Sequence, residues 1–595
     1  MKISIPFLAL FFAVFFSLSA SSEGAVLSKT CKNIDPSDKV KLGECLFNKE
    51  TFEGNGRTCA SCHPPENNFT IDPKFIKTLP AKDKLFVFED LANFPGLKMC
   101  RAPGATPNGT KCTSDANCSG AEKCESLENG VLMRKYGLIL ENVDGLDKPG
   151  RMRSVPHTLS LNTSLTGAPF QGIGVPGTPA HNTGWSGDGT PGKLSNPPGG
   201  PGTGPFTGFC SNNSTLMCQG GNKAAADAVC GGANVCNGFG ADGSIKAFAI
   251  GAVIQHATKD LRRRIGTDFR LPTEEELIAM EAYQRAQGRQ ADDPNISSIS
   301  YNNAYVNEGR DQFFNGLNTR CNTCHSNLGA TIPGVPFNLN FNTGAEAPTN
   351  PHFLEMVGAP KDGGFGGGVN GFCSNGRACS GADQASATAS CSAVSPAPGG
   401  LPGPGGVCTL VENSFGDGSF SAPPLIEAAD TAPYMHNNAV RTLEEAVAFY
   451  QSPNFSDGIG VERLALSPDQ VGSIAAFLRT VNAVENIRLA KGLFDKAKQD
   501  GCSGKAVSLA LADTEDAYQV LEGSELKLFG EAQNHLKKAY DIGKTIESQE
   551  ELDFGFDLSG FGGFFGEPSC SFSDSKKIKK AIAKLEEARN LIVAP

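Results

Sequence analysis

The chain of 595 residues opens on one charged residue, Lys2, and an apolar run from Ile3 to Phe16, followed by small residues from Ser17 to Ser22. This is the layout of a secretory signal peptide, expected over 1–22; the run is shorter than the roughly 20 residues that a membrane anchor would need. Further on, Leu42, Leu46 and Phe47 recur with helical period and predict a short helix. A helix is expected from about Ile245 to Arg264, and Thr273 with Glu276 forms a capping box that opens another, to about Gln287. Asp292 to Ser300 is polar and reads as a linker, after which NEGRDQFFN predicts a helix. Thr442 with Glu445, and Ser467 with Pro468 and Gln470, mark two later helix starts. In the second of these, Val471, Ile474, Leu478 and Val481 make one apolar stripe. Beyond Ala483 the chain turns Lys/Glu/Ala/Leu-rich with helical period, broken by a Phe/Gly-rich stretch from Phe554 to Phe565.

Composition sets the class. With 70 Gly and 37 Pro the chain has long irregular stretches but stays below the roughly 25–30% of low-complexity proteins. A net charge of −11 and no block of like charges argue against a nucleic-acid partner. There is no collagen period, sustained heptad or second long apolar run, so no membrane span is expected once the signal is cleaved.

The 20 cysteines carry most of the chemistry. Four sit in CASCH (Cys59, Cys62, His63) and CNTCH (Cys321, Cys324, His325). C-x-x-C-H is the attachment signature of a c-type haem. Two thiols three positions apart lie on one side of a helical turn, where each can add to a vinyl group, and the next residue presents an imidazole to the iron. A zinc half-site, which needs a second matching pair, and a disulfide beside an incidental histidine are the alternatives. Twelve further cysteines form three groups: Cys100, Cys112, Cys118, Cys124; Cys210, Cys218, Cys230, Cys236; and Cys373, Cys379, Cys391, Cys408. The last two groups open on the related words GFCSNNSTLMC and GFCSNGRAC. Poor in apolar residues, the three read as disulfide-stapled surface insertions near 97–128, 200–240 and 363–415, their pairing open. Cys31 with Cys45 and Cys502 with Cys570 are further candidate bridges.

The expected architecture is mainly α. Two cytochrome c-like haem domains, 23–290 and 291–483, carry the disulfide-rich loop insertions, and a helical C-terminal module of unassigned role covers 484–595.

Over roughly 300 positions the chain resembles the bacterial diheme cytochrome c peroxidases, of the branch that includes MauG. The words that carry the resemblance are LGECLFNKETFEGNGRTCASCH, SVPHTLSLN with GWSGDG, NEGRDQFFNGLNTRCNTCHS, and GDGSFSAPPLIEAADTAPYMHNNAVRTLEEAVAFY. The resemblance implies that the first haem reacts with peroxide and the second feeds it electrons, with a tryptophan between them, matched by Trp185. GWSGDG departs from the family's usual W-D-G-R. The resemblance places the second haem's distal ligand fourteen residues after His436, at Tyr450, where most members have methionine and MauG has tyrosine. Met435 and His436 are the nearby alternatives, His436 reading rather as a pocket residue close to the haem. No glutamate stands where the family keeps its peroxide-splitting one; His256, beside Gln255, takes that place. It is either a ligand that closes the first iron or the base that moves the peroxide proton. His157 is the other candidate, His181 and His352 sit in loops, and His535 is expected to be solvated on the tail helix. The resemblance also admits, without requiring, a calcium ion at Thr431 and Pro433, with Ser154 standing where an asparagine is usual.

The implied activity is a periplasmic diheme peroxidase that reduces hydrogen peroxide with electrons from a small cytochrome c or cupredoxin-type donor. A MauG-like oxidant of a protein or organic substrate, and a non-enzymatic diheme electron carrier, are the alternatives. The sequence admits a homodimer without requiring one.

Overall fold

The computed structural model describes residues 28–141, 151–163, 245–329, 420–452, 464–546 and 570–595 apart from scattered positions, with backbone strands in 206–239 and 340–410. The expected signal peptide lies outside the described residues, as do Trp185, His181 and His352.

The protein is mainly α. Among the described residues the α-helices, in chain order, are α1 (Lys39–Lys49), α2 (Pro73–Ile76), α3 (Gly130–Tyr136), α4 (Ile245–His256), α5 (Glu274–Arg285), α6 (Ala304–Asn315), α7 (Cys321–Cys324), α8 (Leu443–Phe449), α9 (Pro468–Gln499), α10 (Gly504–Glu522), α11 (Gly530–Gly543) and α12 (Phe572–Ile592). Their starts follow the sequence signals. Reciprocal capping boxes join Thr273 to Glu276, Thr442 to Glu445 and Ser467 to Gln470. Helix α4 stops at His256, short of the expected Arg264. The Asn55 side chain donates to the carbonyls of His256 (2.8 Å) and Thr258 (2.9 Å), and the Asn55 N–H donates to that of Ala257 (2.9 Å). Carbonyls held from outside in this way satisfy the helix end.

The two halves repeat one packing device. In α1, Gly43 lies so close to α5 that a Cβ there would sit 2.0 Å from the Ala279 carbonyl oxygen. In α6, a Cβ on Gly309 would sit 1.8 Å from the Ser473 carbonyl oxygen of α9. Only glycine permits either crossing. Four residues after each glycine a phenylalanine, Phe47 or Phe313, is buried at 2% exposure. Each of these helices leads into its C-x-x-C-H turn.

The Cys-rich segments are small antiparallel sheets. Strand β1 (Lys98–Arg101) pairs with β2 (Lys123–Ser126) and bridges to Lys111 on its other side. Beyond the hairpin of β3 (Leu138–Glu141) and β4 (Arg151–Ser154), β5 (Phe206–Cys210) lies between β6 (Asn213–Gly220) and β7 (Cys236–Phe239). The short β8 (Asn340–Phe341) comes next, and then β9 (Val369–Phe372) lies between β10 (Ala378–Gly381) and β11 (Thr409–Leu410); β12 (Phe420–Ser421) pairs back with β8. In all three segments the first strand is central, so the related words share a topology. In the first, the bridges are Cys100–Cys118 and Cys112–Cys124. That segment is not a purely surface insertion: Leu97, Met99, Cys100 and Leu127 are completely buried. The pairing in the other two lies outside the described residues.

The C-terminal helices are not a separate body. Helix α9 runs unbroken through the expected boundary after Ala483, and α9 to α12 share one apolar core with the second half, from Ile296 to Ile592. Val471, Ile474, Leu478 and Val481 all lie in that core. The chain end is stitched to the start of the second half, where Asn302 N donates to the Ile592 carbonyl and Ala594 N to that of Ser300 (both 2.9 Å). Within the expected linker, Ile296 is completely buried. Cys502–Cys570 ties the bundle, and Cys31–Cys45 ties the N-terminal segment to α1. His535, expected to be solvated, lies 2.6 Å from Glu587 of α12.

Candidate functional site

Each C-x-x-C-H turn closes on itself: the N–H of His63 donates to the Cys59 carbonyl (2.9 Å), and that of His325 to the Cys321 carbonyl (3.1 Å). Among the described residues these four cysteines are the ones without a disulfide. Burial pushes the thiols of Cys59 and Cys321 up to about 12 and those of Cys62 and Cys324 up to about 11, so all are neutral thiols.

The histidines are held alike. Nδ1 of His63 lies 2.8 Å from the Phe69 carbonyl oxygen, and Nδ1 of His325 lies 2.9 Å from that of Pro423. A carbonyl only accepts, so Nδ1 carries the proton in both rings and Nε2 keeps its lone pair. Burial outweighs these hydrogen bonds and pushes both imidazoles down to about 4, which leaves them neutral and able to bind a metal.

Both motifs open onto one cavity of about 410 Å³. Its walls are chiefly apolar, with Phe52, Val155 and Val253 near the first motif and Val447, Leu466 and Leu478 near the second. The structure brings most of the other sequence candidates to the same wall: His256, His436, Tyr450, Thr431, Pro433 and His157 all line it. His436 stacks on Phe420 with ring centroids 4.1 Å apart, and Tyr450 meets Phe455 edge-on at 4.7 Å. Burial pushes the Tyr450 phenol above its usual range, and the nearby Cys324 and Cys321 thiols add to the shift. Burial likewise pushes His157 down to about 4.

The residues fit covalent haem: paired neutral thiols, an imidazole lone pair beside each pair, and an apolar chamber common to both. They do not group for zinc. Among the described residues the one three-ligand cluster is Cys100, Cys112 and Cys118, which are disulfide-bonded. For calcium, Thr431 and Pro433 are on the wall, and Ser154 donates to the carbonyls of His436 (N–H, 2.7 Å) and Met435 (Oγ, 3.1 Å), which occupies a lone pair on each of those oxygens.

Two features were not read from the sequence. Arg57, on the cavity wall, pairs with Glu128 from the end of the first Cys-rich segment. Five carboxylates, Glu427, Asp430, Glu485, Asp513 and Asp516, influence one another where α9 and α10 meet the Ala428–Asp430 turn. Arg57 stands two residues before CASCH, a position that marks it in the sequence without naming its partner; the carboxylates lie on separate elements and share no local pattern.

No family model matches the chain, and no solved structure matches it. A stretch of 65 residues, 11% of the chain, is 40% identical to the cytochrome-c peroxidase IdrP2 of Pseudomonas sp. (strain SCT). The match covers 17% of that relative's length. It supports a cytochrome c peroxidase-like relationship for this stretch. Among the described residues no helix is long and apolar enough to cross a membrane, and the four disulfides fit a chain folded in an oxidising compartment.

Proposed function

We propose that the protein is a periplasmic diheme c-type cytochrome of the peroxidase type, with two cytochrome c-like haem domains. The observation that carries this reading is the shared cavity: two C-x-x-C-H turns face it, each with its histidine Nδ1 on a backbone carbonyl. The haems, when bound, supply one-electron transfer and the cleavage of the peroxide O–O bond. Cys59 and Cys62, and Cys321 and Cys324, would hold them, and His63 and His325 would bind through Nε2.

His256 stands on the wall of the first site as the proton carrier. It takes a proton from hydrogen peroxide and returns it to the departing oxygen, which leaves as water; two electrons from the donor and two protons from solvent complete the reduction of one peroxide to two waters. The electrons come from a small periplasmic donor, a cytochrome c or a cupredoxin, at the second site, and pass near Trp185. Tyr450 would hold the second haem from its distal side, where a phenolate oxygen would favour ferric iron and a low potential. His436, stacked on Phe420, shapes the pocket.

Tyr450 beside the second motif favours a second reading, MauG-like oxidation of a protein or organic substrate; closure of the first iron by His256 would instead make an electron carrier. Mass and a pyridine haemochrome assay of the mature protein test the proposal, with two covalent haems per chain expected. Fewer than two overturn it. A high-spin ferric signal then separates either enzyme from the carrier, and consumption of peroxide with a reduced cytochrome separates peroxidase from oxidant.

A further inference from the structure

The C-terminal helices reach the first site from outside. Helix α10 packs on the Pro65–Asn67 turn that follows CASCH, and also on the Ala428–Asp430 turn of the second half. It is pinned to the first half by Lys505 Nζ on Glu44 (3.0 Å) and by Lys74 Nζ on Gln519 (3.4 Å). Between these contacts Asp516 Oδ2 accepts a hydrogen bond from Asn68 Nδ2 at 3.1 Å, and Asn68 is 8% exposed.

Asn68 and Phe69 are consecutive left-handed residues, each with φ of +54°. That conformation is costly for a side-chain-bearing residue, above all for phenylalanine, and persists only where partners hold it. The turn's backbone is tied from inside, by Phe69 N to the Pro64 carbonyl (3.0 Å) and Asn67 Nδ2 to the Thr70 carbonyl (3.0 Å). The turn aims the Phe69 carbonyl at His63 Nδ1, 2.8 Å away.

We infer that Asp516 is a positioning residue for the first proximal ligand: through Asn68 it holds the left-handed turn that keeps the Phe69 carbonyl on His63, so the C-terminal helices belong to the first haem site. The inference rests on the haem reading above. An acceptor on Nδ1 makes Nε2 a stronger donor, which stabilises ferric iron and lowers the potential. Loosening the turn weakens that acceptor.

The test is a spectroelectrochemical titration of the full-length protein after its two haems have been counted. Asp516→Leu, which leaves Asn68 without its acceptor, is expected to raise the midpoint of one haem and leave the other in place. Asp516→Asn keeps an amide oxygen for Asn68 and is expected to titrate like the parent. Equal shifts in the two variants would mean that charge, not positioning, is at work, and would overturn the inference. An unmoved midpoint in Asp516→Leu would also overturn it. If Asp516→Leu does not fold, Asn68→Ala decides: it removes the donor and is expected to raise the same midpoint, and an unchanged midpoint overturns the inference. Fewer than two haems in the parent protein would sink the haem reading instead, a separate result.

Discussion

Arg57 and Glu128 form a two-pronged ion pair sealed beside the first C-x-x-C-H turn. Nη1 lies 3.2 Å from Oε1 and Nη2 lies 2.5 Å from Oε2, and the two side chains are 2% and 1% exposed. The guanidinium also lies over the Phe88 ring at 4.3 Å. The pair joins the loop ahead of the motif to the base of the first Cys-rich segment. Glu128→Ala strands a buried cation and should destabilise the protein by about 3–5 kcal/mol, measured by denaturant unfolding of the holoprotein. A loss under about 1 kcal/mol, the scale of an exposed pair, would show that the two groups are not sealed.

His256 closes helix α4 on the cavity wall. Removing a general acid–base group costs on the order of 10²–10⁴ in rate. His256→Ala should therefore reduce peroxide turnover on that scale and leave the haem count at two. If the variant instead gains a high-spin ferric signal that the parent lacks, His256 is a ligand and the electron-carrier reading takes over.

Tyr450 reaches the second motif from the end of α8. Axial-ligand identity tunes haem potentials over about 0.8 V, so exchange of an oxygen ligand for a thioether is a large change. Tyr450→Met should raise the second haem's midpoint by on the order of 100 mV or more in a redox titration. An unchanged midpoint refutes ligation by Tyr450.

Stability should depend on pH through two opposed sets of buried groups, a histidine and several carboxyls. Burial pushes His157 down to about 4, so at this position the unfolded chain binds more proton between about 4 and 6.5, and the contribution to stability rises with pH there. Where α9 and α10 meet, burial raises Asp430 to about 7 and Asp516 to about 6, and raises Glu427 and Asp513 well above the ordinary range. The groups that act on them are Glu485 and Arg488 on α9, Glu515 on α10, and Asp72 and Lys74 from the first half. These carboxyls hold protons when folded that the unfolded chain releases near pH 4, so their effect is to lower stability as pH rises through their folded values. Above about pH 6.5 only this second set still titrates, and the unfolding temperature should fall from pH 6.5 to pH 8. Asp513→Asn should raise the unfolding temperature at pH 8 and flatten that limb; a limb unchanged by the substitution would rule out the cluster as its cause.

What could be read from the chain directly was what neighbouring residues decide among themselves. The two C-x-x-C-H turns, the capping boxes at Thr273, Thr442 and Ser467, and the stripe Val471–Ile474–Leu478–Val481 each lie within a few turns of one helix or loop, and the structure contains them as read. Cys31–Cys45 and Cys502–Cys570 were also legible, as cysteines left over outside the larger groups. Tertiary structure alone decided what each local motif meets. His325 finds its carbonyl 98 residues away at Pro423, Arg57 its carboxylate 71 away at Glu128, and Asn68 its acceptor 448 away at Asp516. The stop of α4 at His256 depends on Asn55, 201 residues earlier. A backbone carbonyl is the same at every position, so it leaves no mark in the sequence as a partner. Which carboxylate meets which cation depends on how distant helices pack, and local pattern carries no record of that.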